Sequence, residues 1–363
     1  MRLIYYKPRA MLQLADEKFP GTMRLRHYFG MYGAGACPID RTGTIRTPVK
    51  VKSLFPIPAF EPFKKTFEQI CDERSTEILQ RARELDVRIN VLWSGGIDST
   101  LVLISLLKQA AKEDKERINV LMSNDSIQEN SRFFREHVSG SLMLGISADV
   151  VKALGANDLI VTGEHNDQLF GADLMGPIAF ALGPQIMHQP LDLEMFAEQF
   201  TRGAGSIEMA RWYMTLMDRV RQAAPIPLTT NYDFAWWINF TLKWQTVFSR
   251  LIMFVEPSRA HLITKEWIAT RYLPFYNTED FQRWSLHNND KKVKDTWASY
   301  KWPCKDIIYD FTKDAEYRDT KTKVGSLGSL MLGYDSMIFI DENFGMHSKV
   351  AMEDIYEPEN DFR

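Results

Sequence analysis

Ser94-Gly95-Gly96-Ile97-Asp98-Ser99 follows an apolar run (Ile89, Val91, Leu92, Trp93) and opens a helix-like stretch from Leu101 to Lys108. Strand, glycine turn and helix in that order predict a βα unit whose loop lies at the carboxyl end of a strand. Glycines take positive φ at little cost and put no Cβ between backbone N–H groups and an incoming anion. The first N–H groups of the following helix are unpaired, and the helix dipole adds positive charge there, so phosphate oxygens are attracted. Asp98, Ser99 and Thr100 sit where the helix begins; Ser94 and Ser99 add hydroxyl donors, and Asp98 adds a carboxylate able to hold Mg²⁺. The Gly-Lys-Ser/Thr ending of a Walker A loop is missing, which predicts a different phosphate geometry. A tight βα turn, with glycines only turning the chain and Ser and Asp only capping the helix, accounts for the same residues and stays open.

Upstream of the loop, Pro62 begins a stretch in which Phe63, Phe67, Ile70, Ile78, Ala82 and Leu85 recur at mostly helical spacing. Downstream, Ile118-Asn119-Val120-Leu121-Met122 reads as a second strand, 133–138 and 146–154 as helices, and Leu159-Ile160-Val161-Thr162 as a third, buried strand. Strands alternating with helices predict right-handed crossovers and a parallel sheet, hence an α/β protein. After about residue 175 the strand signal fades and helical periods take over, as in Met209, Trp212, Tyr213, Leu216, Met217 and Val220, so the C-terminal half is expected to be largely helical. Trp236, Trp237, Trp244 and Trp267 lie in or near such stretches and are expected in the core rather than in a ligand cage. Residues 1–60, rich in Gly, Pro and aromatics, read as an irregular N-terminal cap with β-like stretches near Leu3–Tyr6 and Val49–Leu54. Residues 61–333 form the main domain, and 334–363 a tail without clear period.

The third strand ends in Thr162-Gly163-Glu164-His165-Asn166-Asp167-Gln168-Leu169-Phe170-Gly171. Parallel strands put their carboxyl ends on one edge, where open α/β sheets bind ligands, so this segment should face the glycine loop. Gly163 would let backbone approach a nucleotide, and Asp167 is placed to join Asp98 around a Mg²⁺ that bridges phosphates. A polar loop whose Asn and Asp cap the next helix is the alternative.

The first loop resembles the PP-loop of ATP pyrophosphatases, which split ATP between the α- and β-phosphates. Such a chain has the adenine nucleotide alpha hydrolase-like fold. The second segment is similar to the Ser/Thr-Gly-Glu-Gly-x-Asp-Glu-x-Phe-Gly-Gly pattern of asparagine synthetases and β-lactam synthetases: Thr162, Gly163, Glu164, Asp167, Phe170 and Gly171 match, while His165, Gln168 and Ala172 depart. Further on, Arg271-Tyr272-Leu273-Pro274-Phe275-Tyr276-Asn277 resembles that family's Arg-Val-Pro-Phe-Leu-Asp segment with one extra residue and no acid. Lys321-Thr322-Lys323-Val324-Gly325-Ser326 resembles its Arg-x-Lys-x-Gly-Phe loop. The resemblance covers about residues 62–330.

It implies that ATP lies against Ser94, Gly95, Gly96, Ile97, Asp98, Ser99, Thr100, Leu121, Thr162, Gly163 and Lys321, and that Asp98 and Asp167 hold Mg²⁺. Glu164 would assist deprotonation of the attacking nitrogen, and Lys323 would be the catalytic lysine that steadies charge on leaving pyrophosphate. A solvated basic loop beside Arg318 is the alternative for Lys321 and Lys323. Glutamine-dependent members carry an amidohydrolase domain with a terminal cysteine. Here Arg2 follows Met1 and about 90 residues precede the loop, too few for such a domain. The nitrogen is therefore expected from free ammonia, the substrate's own amine or a separate ammonia-supplying protein.

Net charge is −3 and the pI about 6.2, so no global field recruits nucleic acid or an anionic membrane. Cys37, Cys71 and Cys304 are too few and too far apart for a disulfide framework or a CxxC site, which fits a reducing cytoplasm. The apolar start is too short for a signal peptide, and charges such as Arg250 break the longer apolar runs, so no membrane span is expected. The expected activity is ATP-dependent amide formation on a small carboxylate through an adenylate. Two rivals stand beside it: a PP-loop enzyme that modifies a nucleobase or tRNA, and a non-catalytic nucleotide-binding module.

Overall fold

The computed structural model describes residues 1–7, 18–22, 24–25, 37–321, 339–360 and 362. The chain divides into two compact units made of interleaved segments: Met1–Phe60, Asp167–Met253 and Ser336–Arg363 in the first, Glu61–Asn166 and Phe254–Asp335 in the second. The first strand, β1 (Leu3–Tyr6), belongs to the first unit.

The second unit is built on a five-stranded parallel sheet of β2 (Ile89–Leu92), β3 (Ile118–Met122), β4 (Met143–Ile146), β5 (Leu159–Thr162) and β6 (Tyr272–Pro274), in the order β4-β3-β2-β5-β6. Ile89, Val91, Val120, Ile160 and Val161 are fully buried, as strands covered by helices on both faces require. The chain runs outward from β2 through β3 to β4, then returns to β5 on the other side of β2 and continues to β6. The order of strands thus reverses between β2 and β5, the place outside whose carboxyl ends open α/β sheets bind ligands. Register brings those ends level: Leu92 pairs with both Leu121 and Thr162, and Thr162 with Pro274.

Helix α1 (Phe67–Leu85) starts later than the Pro62 expected from periodicity. Thr66 is the reason: its hydroxyl accepts the Gln69 N–H at 3.2 Å while Gln69 Oε1 accepts the Thr66 N–H at 2.8 Å, a capping box that fixes the first turn. Phe67, Ile70, Ile78, Leu79 and Ala82 form its buried face, and it packs on α2 (Ile97–Gln109), whose residues from Leu101 to Leu106 are buried. α3 (Asn124–Glu129) follows β3.

Strand β4 has no strand signal in the sequence and takes in Ile146, where the expected helix 146–154 begins; the helix instead spans Asp149–Ala153. As an edge strand β4 is alternately half-buried and exposed, with Leu144 and Ile146 open to solvent, and it lacks the apolar run that marks its neighbours. Gly145 has a packing reason: a Cβ there would stand 2.6 Å from Leu121 Cδ2. α4 (Trp302–Thr312) and α5 (Ala315–Thr320) complete the part of this unit that bears on the loop.

The first unit is largely helical. Leu193–Ala204 and Ile207–Gln222 pack on each other, and Asn231–Leu242 is buried along its whole length. Trp236, Trp237 and Trp244 are fully buried there, with Trp236 Nε1 donating to the Leu169 carbonyl and Trp237 Nε1 to the Val220 carbonyl, so they are core residues as expected. Trp267 is likewise buried in the second unit, its Nε1 on the Ala156 carbonyl. Among the described residues no helix is long and apolar enough to cross a membrane.

β1 pairs antiparallel with β7 (Phe339–Asp341), which pairs with β8 (Met346–His347). Asp341 holds the intervening turn: it accepts the N–H groups of Asn343 at 2.7 Å and Gly345 at 3.0 Å, and its Oδ2 lies 2.7 Å from His347 Nε2. Burial works to raise its pKa, but the His347 contact and the two N–H groups outweigh it and hold the carboxyl below its ordinary value. A carboxyl lowered by folding adds stability above its unfolded pKa and loses it as pH falls through the folded one. Asp341→Asn is therefore expected to cost about 1 kcal/mol at neutral pH and nothing measurable below the folded pKa. Urea unfolding at the two pH values checks this.

Candidate functional site at the switch point of the sheet

The glycine loop leaves β2 and enters α2 at the reversal in strand order. Gly95 takes φ +76°, and a Cβ on it would lie 2.3 Å from the Ser126 carbonyl oxygen and 3.0 Å from Glu129 Cβ, so the loop lies directly against α3. Within the loop Ser99 Oγ accepts the Ser94 N–H at 2.9 Å and Ser94 Oγ accepts the Gly96 N–H at 3.2 Å. Gly96 is the N-cap of α2 and, having no side chain, brings no side-chain cap to the first turn. Ile97 is buried as the first helical residue. Thr100 is also buried, and its hydroxyl receives Trp93 Nε1 at 3.1 Å, a bond that ties strand to helix.

Gly163, just past β5, meets that same first turn: a Cβ here would stand 2.9 Å from Ser99 N and 3.0 Å from Asp98 C. Any side chain would push the two strand ends apart. The structure thus brings Ser94–Thr100, Thr162 and Gly163 together at one edge of the sheet. Thr162 Oγ1 is buried and, among the described residues, has no hydrogen-bond partner. Leu121 ends level with Leu92; its carbonyl accepts the Trp93 N–H at 2.9 Å and its side chain is buried against Gly145. Glu164 is half-buried beside Gly163. His165 is buried with φ +77°. A positive φ of this kind favours glycine and costs a residue with a Cβ about 1–3 kcal/mol.

Asp98 has partners that sequence reading missed. Its Oδ1 accepts Lys301 Nζ at 2.5 Å and Asn166 Nδ2 at 2.7 Å, and its carbonyl accepts the Tyr276 hydroxyl at 3.0 Å. Lys301 is 2 % exposed and caps α4 with φ +58°. The only sequence signal was local, a proline two residues on that marks a helix start. Nothing in it announced a partner about two hundred positions away. Tyr276, from the segment with the extra residue, and Tyr317, whose hydroxyl donates to the Gly95 carbonyl at 3.3 Å, close around the loop. Burial pushes both phenols well up, so both stay protonated donors. Burial likewise pushes the Cys304 thiol up to about 12, and Asn166 Nδ2 reaches its sulfur at 3.5 Å: it is an unreactive core group.

Lys321 Nζ lies 2.8 Å from Glu129 Oε1, and this carboxylate is 5 % exposed. Glu129 Oε1 is 3.5 Å from where a Cβ on Gly96 would be, and its Oε2 is buried with no partner among the described residues. Lys321 therefore stands near the glycine loop through an acid that the sequence did not single out. Lys323 lies outside the described residues. Asp167 begins the first unit, in the short helix Asn166–Phe170, where its carbonyl accepts Asn239 Nδ2 at 3.0 Å. Asp98 belongs to the second unit. Among the described residues no three His, Cys, Asp or Glu side chains gather as a metal-binding group. Comparison with protein-family models and with curated proteins finds no match for the chain.

Proposed function

We propose that the chain is an ATP-dependent amide-forming ligase on the PP-loop ATP pyrophosphatase fold, similar to asparagine and β-lactam synthetases. One observation carries this reading. The glycine loop and Gly163 meet at the switch point of a parallel sheet, over a helix N-terminus without a side-chain cap. Anions are stabilised at such a place by unpaired N–H groups and the helix dipole together.

In this reading the α2 N–H groups and the Ser94 and Ser99 hydroxyls take phosphate oxygens. A substrate carboxylate attacks the α-phosphorus and pyrophosphate leaves; Lys321 and Lys323 offset the charge that builds on it. Glu164 accepts a proton from the amine or ammonia that attacks the acyl-adenylate, and amide and AMP result. Asp98 is a hard oxygen donor of the kind that would hold Mg²⁺ together with phosphates, and the ion would add charge neutralisation. Lys301 and Asn166 already engage Oδ1 of Asp98.

Exchange of labelled pyrophosphate into ATP, screened over small carboxylates and amino acids, tests the reading. Exchange dependent on one carboxylate is expected, and Lys323→Met should lower it by about 100-fold or more. Failure to bind ATP at all would sink it. The occupied Asp98 favours one second reading, a nucleotide-binding module without turnover, for which ATP binds and no carboxylate supports exchange.

A further inference from the structure

In the second unit a cleft of about 410 Å³ opens among the segment 294–299, the first turns of α4 and the end of α5. Lys305 lines it, though only 3 % of its surface is exposed. Its Nζ donates to the Ala298 carbonyl at 2.7 Å, and among the described residues no carboxylate forms an ion pair with it. Asp319, the acid whose field acts most on Lys305, is engaged by Arg318 through two bonds of 2.7 and 3.2 Å. An ammonium has three N–H donors, so two of them lack an acceptor among the described residues. Buried cations are ordinarily paired, because taking them out of water unpaired is costly. Burial accordingly pushes the Lys305 pKa down.

A second donor is left over on the same helix face. Trp302 Nε1 is buried and has no acceptor among the described residues. Trp302 and Lys305 stand three apart on α4, so their side chains are neighbours, and both lie in its first turns, where the dipole favours negative charge. Lys294 covers the indole, its Nζ 4.1 Å from the ring centroid. Asp295, Asp306 and Asp319 on the wall balance the formal charges of Lys294, Lys305 and Arg318, which suits a small anion better than a polyanionic chain.

We propose that this cleft is a binding site for a small oxyanion, a carboxylate or phosphate group held by Lys305 Nζ and Trp302 Nε1. The site is distinct from the glycine loop and does not depend on the ligase reading. Lys301, one turn before Lys305, is committed to Asp98, whereas Lys305 has no such partner among the described residues.

Calorimetric titration of the full chain with sodium succinate and with sodium phosphate, at constant ionic strength, tests it. At least one anion is expected to bind with a millimolar or tighter dissociation constant, and the arm that binds more tightly tells carboxylate from phosphate. Lys305→Met should weaken that binding at least about tenfold without lowering the melting temperature of the anion-free protein, since an unpaired buried charge is removed. Trp302→Phe should weaken it by about threefold to tenfold, and it carries the test if Lys305→Met does not fold. Absence of binding of both anions up to about 10 mM overturns the site. Binding left unchanged by Lys305→Met, or by Trp302→Phe in its place, overturns it too, because the anion then sits elsewhere.

Discussion

Gly95→Ala is expected to lower the unfolding free energy by about 3 kcal/mol or more and to remove the proposed nucleotide binding at the same time. Two costs coincide at this position. The backbone stands at φ +76°, where a Cβ costs an L-residue about 1–2 kcal/mol. The new carbon would also lie 2.3 Å from the Ser126 carbonyl oxygen, a backbone atom that can move only if α3 moves. Gly96 is the internal control, because its φ is −74° and the nearest atom to a Cβ there would be the Ser94 hydroxyl oxygen at 3.2 Å. Gly96→Ala should therefore cost only about 1 kcal/mol. Denaturant unfolding of the two variants side by side checks the contrast; equal midpoints would mean that the loop does not lie on α3 as described.

The second large effect concerns Asp98. Asp98→Asn should abolish pyrophosphate exchange, by about 1000-fold or more if Asp98 steadies developing charge, and it should also destabilise the fold. Lys301 is 2 % exposed with its Nζ 2.5 Å from the Asp98 carboxylate, and removing one partner of a buried pair costs about 3–5 kcal/mol. Asp98→Asn with Lys301→Met removes both charges and should recover most of that stability while exchange stays lost. The double-mutant cycle thus separates the two roles of one carboxylate. If the single and double variants unfold at the same denaturant concentration, the ion pair contributes nothing to the fold. If exchange survives in either, Asp98 has no part in the chemistry.

The central sheet was legible because β2, β3 and β5 are short apolar runs bounded by glycine and polar turns, the pattern of strands buried on both faces. β4 was not, since an edge strand with a half-solvated Met-Leu-Gly-Ile has no periodic signature. β6 was seen only as part of a family-like segment, and its pairing with β5 is a long-range fact. The close approaches at the glycine loop and Gly163 were legible because glycine at a strand end has a physical meaning that does not depend on distant residues. The partners that close around the loop were hidden for the opposite reason. Glu129, Tyr276, Lys301 and Tyr317 look like ordinary surface or core residues until the fold carries them to the loop, and the buried Lys301 reverses the expectation that lysines are solvated.

The pairing of β5 with β6 joins Ile160 to Tyr272, and the segment Asp167–Met253 that separates them belongs to the other unit. A ribosome adding about 5–20 residues each second needs several seconds to make that stretch. Until residue 274 is made, β5 has only β2 to pair with in this sheet, and its other edge has no strand to cover it. An apolar strand with an open edge invites pairing with any extended chain nearby. The nascent protein thus passes through a window in which its own topology delays the strand that protects it, and trigger points for misassembly should lie between synthesis of residue 162 and of residue 274. Slower translation through that interval should lower the yield of folded chain, whereas slower translation before β5 should not.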